Sequence, residues 1–123
     1  MDAGELQAHR QNTKMFIDAD PITLTLLRQE RIETDEGGYK NGDPEEVEAQ
    51  VFRLLPANDQ TPTIQTIDGF QRAPVYVLLG EHDADMNIWD KFELNGSTYQ
   101  IASKIRPHHT ENAYQRKGDV VLL

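Results

Sequence analysis

The residues that first suggest chemistry are four histidines, His9, His82, His108 and His109. His82 sits in the run GEHDAD with Asp83 and Asp85, and His108-His109 follow a strand-like segment. Two loops brought together could offer imidazole and carboxylate to a metal ion. The spacing matches no ligand signature, however, and solvated turns account for both runs. Asp18-x-Asp20 and Asp83-x-Asp85 look like pieces of calcium loops, but neither continues into the glycine and distal glutamate of an EF-hand. Ser97 and Ser103 are the only serines, and neither lies in a nucleophile elbow. Gly37-Gly38 precedes no Lys-Ser/Thr, so no phosphate-cradling loop is present. No pair of carboxylates stands out for glycoside hydrolysis. With no cysteine, thiolate catalysis, disulfides and Cys-based zinc sites are excluded. The expectation is no catalytic residue, no cofactor and no resident metal.

The charge points away from sequence-reading nucleic-acid binding. There are 21 acids against 12 bases, a net charge of -9, and phosphate contacts come from Lys and Arg. At 123 residues the chain suits one domain with a modest core. No apolar run approaches the ~20 residues of a membrane helix, and the acidic, polar start MDAGELQAHR is not that of a signal peptide.

What must position these residues is a set of short strands. Residues 1–21 read as an N-terminal arm or short, marginal helix, with a thin stripe at Leu6 and Arg10. ITLTLLR (22–28) alternates as a strand that Arg31 and Ile32 extend. VEAQVFRLL (47–55) alternates through Val47, Ala49 and Val51, then switches face at Phe52 and Leu54. VYVLLG (75–80) reads as a central strand. The clearest signal is DKFELNGSTYQI: Asn95-Gly96 fits a type I′ turn, placing Phe92 opposite Tyr99 and Leu94 beside Ser97. Ile101 and Ile105 continue that second strand, Pro107 ends it, HHTENAYQRKG is a loop, and DVVLL (119–123) is a last strand. Trp89 reads as core. With no helical crossovers, five or six strands make an all-β antiparallel small barrel or sandwich over 22–123.

Two long stretches resist assignment. Residues 33–46 hold Glu33, Asp35, Glu36, Asp43, Glu45 and Glu46 against Lys40, with Gly37-Gly38 as a turn signal. Residues 56–74 hold only Ile64, Ile67 and Phe70 as large apolar side chains. Ordering each residue costs roughly 1–2 kcal/mol. Burying three such side chains returns only about 1.5–3 kcal/mol each. The expectation is that neighbouring copies supply the missing contacts.

The second half carries a further pattern: Gly80, then Asp83-Ala84-Asp85-Met86, Asp90, Phe92, Asn95-Gly96, Tyr99, Ile101, Pro107, and Tyr114 with Lys117-Gly118-Asp119-Val120-Val121. This order resembles the head closure, or head-to-tail stopper, proteins of long-tailed bacteriophages, and FIDADPITLTLLR is similar to actinobacteriophage members. The resemblance covers roughly residues 16–32 and 75–123. Trp89 is a departure, since a glycine usually precedes the Asp there.

The resemblance implies a β-barrel whose copies form a homo-oligomeric ring in the virion, at the head–tail interface. The ring lies between the portal–adaptor assembly and the tail terminator or tail tube. It closes the channel on packaged double-stranded DNA, which passes without sequence-specific binding, and it involves no membrane and no enzymatic step. Six copies are preferred over twelve. On this reading the acidic residues 33–46 line the channel, and Phe16, Ile64, Ile67 and Phe70 join subunits or partners. Phe92, Leu94, Asn95, Gly96 and Tyr99 form the rigid scaffold. The rival expectation is a small metal-binding or peptide-binding β-barrel.

Overall fold

The computed structural model describes residues 2–29, 31–58, 63–66, 70–107 and 111–123. Its body is an antiparallel sheet, and the strongest sequence signal organises it. Strands β10 (Lys91–Leu94) and β11 (Ser97–Ile101) pair with Phe92 opposite Tyr99 and Leu94 opposite Ser97. Asn95 at φ 53 and Gly96 at φ 82 make the left-handed turn expected of Asn-Gly. Phe92 is buried and its ring stacks on Tyr99, with centroids 5.5 Å apart.

Around this hairpin run β1 (Ile22–Leu24), β2 (Leu27–Arg28), β5 (Glu45–Glu46), β6 (Gln50–Pro56), β9 (Tyr76–Glu81) and β12 (Gln115–Leu122). The eight-stranded order is β1-β6-β9-β12-β11-β10-β2-β5. Only Thr25 and Leu26 separate β1 from β2 in the chain, yet those strands lie towards opposite ends of the sheet. The sheet must therefore curl until its two ends meet across this seam, giving an open barrel. Leu26 is fully buried, and its carbonyl accepts the Val47 N–H at 2.8 Å.

Leu24, Leu26, Phe52, Leu78, Met86, Phe92, Ile101 and Val120 fill the interior. Two close approaches require glycine. A Cβ on Gly80 would stand 2.7 Å from the Ala84 Cβ and 3.1 Å from the Phe52 ring. One on Gly118 would stand 2.8 Å from the Ile101 Cγ2.

Several expectations need correction. The sheet has eight strands rather than five or six, because strands of two or three residues are too short to show a period. The run 22–28 is two strands, and Arg31–Glu33 is a separate β3. Val51 faces out at 43% exposure while Phe52 is fully buried. The larger aromatic ring takes the interior and sets the face. β11 stops at Ile101, although Ile105 still reaches the core, and β12 begins at Gln115, four residues before the expected last strand.

The two long stretches are not structureless. β3 pairs with β4 (Tyr39–Asn41), and β5 joins the sheet edge on β2. β7 (Ile64–Gln65) pairs with β8 (Gln71–Arg72). Each excursion satisfies backbone groups against itself, which needs no apolar periodicity and reduces the ordering cost assigned to neighbours. The N-terminal segment is likewise a full helix, α1 (Ala3–Ala19), capped by Asp2 Oδ1 accepting the Glu5 N–H at 2.8 Å.

Helix α1 packs on β6 and β9 of its own chain. Leu6, Arg10, Thr13 and Ile17 form the inward stripe, at spacings of four, three and four. Arg10, a base standing in that stripe, reaches across: its Nε donates to the Ala113 carbonyl at 3.0 Å and its Nη2 to that of Glu111 at 3.2 Å.

Candidate functional site

Most of the sequence-pattern residues are spent on holding the barrel. Asp90 is 1% exposed and lies at the root of the GEHDAD loop. It accepts from Arg28 Nε at 3.0 Å and Arg28 Nη2 at 2.8 Å, a bidentate pair. The same carboxylate accepts the Asn87 N–H at 2.8 Å. Asp85 adds a second carboxylate 3.0 Å from Arg28 Nη2. The Asp90 hydrogen bond raises the Arg28 pKa further above its already high value, against the opposing effect of burial.

Gln50 then brackets Asp85 through its backbone: Nε2 donates to the Asp85 carbonyl at 2.9 Å, and Oε1 accepts the Asp85 N–H at 2.7 Å. Arg116 Nη1 donates to the Ala84 carbonyl at 2.6 Å. The loop that offered metal chemistry is thus tied down by side chains from β2, β6 and β12.

Trp89, where the pattern has glycine, is half-buried and takes φ 77. Backbone bonds hold it there. Its N–H donates to Ile101 O at 2.7 Å, and its carbonyl accepts from Gln100 Nε2 at 3.2 Å. A parallel bracket fixes the C-terminal strand. Arg106 Nη2 and Nη1 reach the two Asp119 oxygens at 3.1 and 3.3 Å, and Ser103 Oγ accepts the Asp119 N–H at 2.8 Å.

The acidic stretch forms one exposed feature. Glu33, Asp35, Glu36, Gly37, Gly38, Lys40, Asp43, Glu45 and Glu46 are all exposed, on or beside β3, β4 and β5. Thr34 Oγ1 and the Gly38 backbone bond each other across the turn. Residues 33–46 hold six acids and one base, so five of the nine net negative charges lie on this excursion.

The residues assigned to subunit contacts lie elsewhere, Phe16 on the helix and Ile64 and Phe70 on the β7–β8 ribbon. Phe16, on α1, is 45% exposed and its ring lies 3.9 Å from the Arg53 guanidinium carbon. Phe70 is 65% exposed beside β8, where the Arg72 guanidinium sits 5.9 Å from its ring centroid. Ile64 is half-buried in β7. Ile67, like His108 and His109, lies outside the described residues.

Helix α1 leaves a groove of about 550 Å³ along the convex face of the sheet. His9, Asn12 and Phe16 form one wall, and Leu55, Val77 and Leu79 line the sheet side. The register explains the sheet side. Arg53, Leu79 and Lys117 align across β6, β9 and β12, opposite in facing to the core residues Leu54 and Leu78. A smaller cavity of about 290 Å³, lined by Arg106, Pro107 and Ala113, shares Tyr114, Gln115 and Lys117 with the groove.

Sequence reasoning missed Arg28, Gln50, Arg10 and Arg106 as the positioning residues, and missed the groove. The available signal was a long polar side chain standing in or beside a strand-like or helical run. Among the described residues no group of three His, Asp or Glu could hold a metal ion, and no helix is long and apolar enough to cross a membrane. No protein-family model matches the chain, and no curated protein matches it.

Proposed function

We propose that this chain is a head-closure component of a long-tailed bacteriophage. In this reading its copies form a ring between the portal–adaptor assembly and the tail, hold packaged DNA and present a docking surface to the tail. The work is mechanical and electrostatic, with no reaction and no cofactor. The ordered residue pattern of the second half suggests the family. The observation that carries the reading is the concentration of charge: within residues 33–46, six exposed acids stand against one base, five of the nine net negative charges. Such a surface suits a channel wall that must face DNA without adhering to it, since like charges repel within about 8 Å at physiological salt.

The barrel supports the reading in a second way. The pattern residues Gly80, Asp85, Asp90, Gly118 and Asp119 act as brackets and close-packing positions, as a rigid structural part requires. The test is a phage in which this gene is silenced. DNA-filled heads should then leak their DNA and fail to join tails, and adding the purified protein should restore both. Tailed, DNA-retaining particles without the protein would overturn the reading.

A further inference from the structure

We infer that one mouth of the barrel is a binding site for a phosphate group, held by Arg116 and Lys104. The mouth is a cavity of about 360 Å³ lined by Asn87, Ile88, Lys104, Ile105 and Arg116. Ile105 also packs into the core, and Arg116 shares its face of β12 with Gly118 and Val120, so the cavity lies at one end of the barrel interior. Two bases, an amide and two apolar side chains line it, and no carboxylate does.

The acids close to this mouth are already engaged. Asp85 and Asp90 neutralise Arg28, and Asp119 neutralises Arg106. Among the described residues neither Arg116 nor Lys104 has an ion pair, in a chain whose acids outnumber its bases by 21 to 12. Arg116 is half-buried, and its Nε is buried with no hydrogen-bond partner among the described residues. A half-buried cation without a counter-charge is costly, and a bound anion offsets that cost.

The donors are held in place before any ligand arrives. Arg116 Nη1 is fixed on the Ala84 carbonyl at 2.6 Å, which leaves Nη2 to donate elsewhere. The Asn87 N–H is fixed on Asp90 at 2.8 Å. Lys104 stands on a segment pinned to β12 on both sides, by the Ala102 N–H on the Asp119 carbonyl and by the paired backbones of Arg106 and Lys117. Two positive charges and several N–H donors around one space suit a tetrahedral dianion better than a carboxylate, which a single guanidinium satisfies.

The phosphate is free phosphate or the backbone of double-stranded DNA. The mouth opens at the end of the barrel from which the acidic ribbon leaves, since Arg28 at the root of that ribbon pairs with Asp85, the neighbour of Ala84. The site stands independently of the ring reading. Within that reading it adds a point of hold to a wall that otherwise repels DNA.

Inorganic phosphate is titrated into the purified full chain at low salt, and the side-chain nitrogen resonances of Arg116 and Asn87 are followed. Both should shift and saturate, while sodium acetate at equal concentration should give no saturation. Lys104→Gln should weaken binding about tenfold, the loss of one charge-assisted hydrogen bond. Asn87→Asp, which sets a carboxylate in the mouth, should abolish binding with an unchanged circular dichroism spectrum. Lys14→Gln, at a base already paired with Asp18, should bind as wild type. A short DNA duplex that displaces phosphate from these resonances identifies the backbone as the source, and a duplex that leaves them unchanged identifies free phosphate. No saturable shift, an equal response to acetate, or wild-type affinity in Asn87→Asp overturns the inference. Ring assembly plays no part in this measurement, so each of those results leaves the head-closure reading standing. Particles that never contain the chain would overturn that reading alone.

Discussion

Asp90 shows how a single buried charge can set the position of a whole loop. Its carboxylate is 1% exposed and satisfied by Arg28 and by the Asn87 backbone. Removing one partner of a buried pair costs roughly 3–5 kcal/mol because the other is left uncompensated. Arg28 is a quarter exposed and keeps Asp85, so Asp90→Ala should cost about 3 kcal/mol, the lower end of that range. Urea unfolding measures it, and a loss under about 0.5 kcal/mol, the usual scatter of surface substitutions, would refute the bracket.

The pH sense follows from the Arg28 shift. A raised base pKa contributes stability that is present below the unfolded value and lost only as pH rises through the folded one. Both lie far above neutrality, so Arg28 stays charged throughout the biological range. Gly80→Ala tests packing at the same scale. The new Cβ would meet the Ala84 Cβ at 2.7 Å, a contact that only backbone movement relieves. The expected loss is about 1–3 kcal/mol in the same unfolding measurement.

Among the elements, the β10–β11 hairpin was fully legible. Alternation, the Asn-Gly turn and two aromatic positions all specify one register, and a slip by one residue would turn Phe92 to solvent. Gly96→Ala isolates the turn's share. Nothing lies within 4 Å of the added Cβ, and φ is 82, so the cost is torsional alone, about 1–2 kcal/mol. A neutral result by thermal unfolding would mean that the turn relaxes freely.

The helix was only half legible. Leu6 and Arg10 were visible as a stripe, but Thr13 and Ile17 complete it and Arg10 docks through its guanidinium. A polar residue at an inward position disguises an amphipathic pattern. The ribbons β3–β4 and β7–β8 were not legible, because exposed two-stranded pairs are held by backbone bonds that no side-chain period announces. The groove was illegible for another reason: it exists only between α1 and three strands far apart in sequence.

For the whole molecule, the distribution of charge yields the sharpest test of the channel assignment. Changing Glu33, Glu36, Asp35 and Asp43 to their amides lowers the net charge from -9 to -5. Virions carrying this variant should eject DNA more slowly than wild type at low salt. The difference should fade towards ~1 M salt, where screening acts within about 3 Å. Ejection followed by dye fluorescence gives both rates, and a ratio independent of salt would remove the electrostatic role.

The seam at Thr25-Leu26 carries a mechanical consequence. From Ile22 to Arg28 only Thr25 and Leu26 lie outside strands, with the foot of the helix just before this segment and the root of the acidic ribbon just after it. The acidic ribbon and the helix that walls the groove are therefore joined through only seven residues. Any displacement of the ribbon and any tilt of the helix would share one short lever.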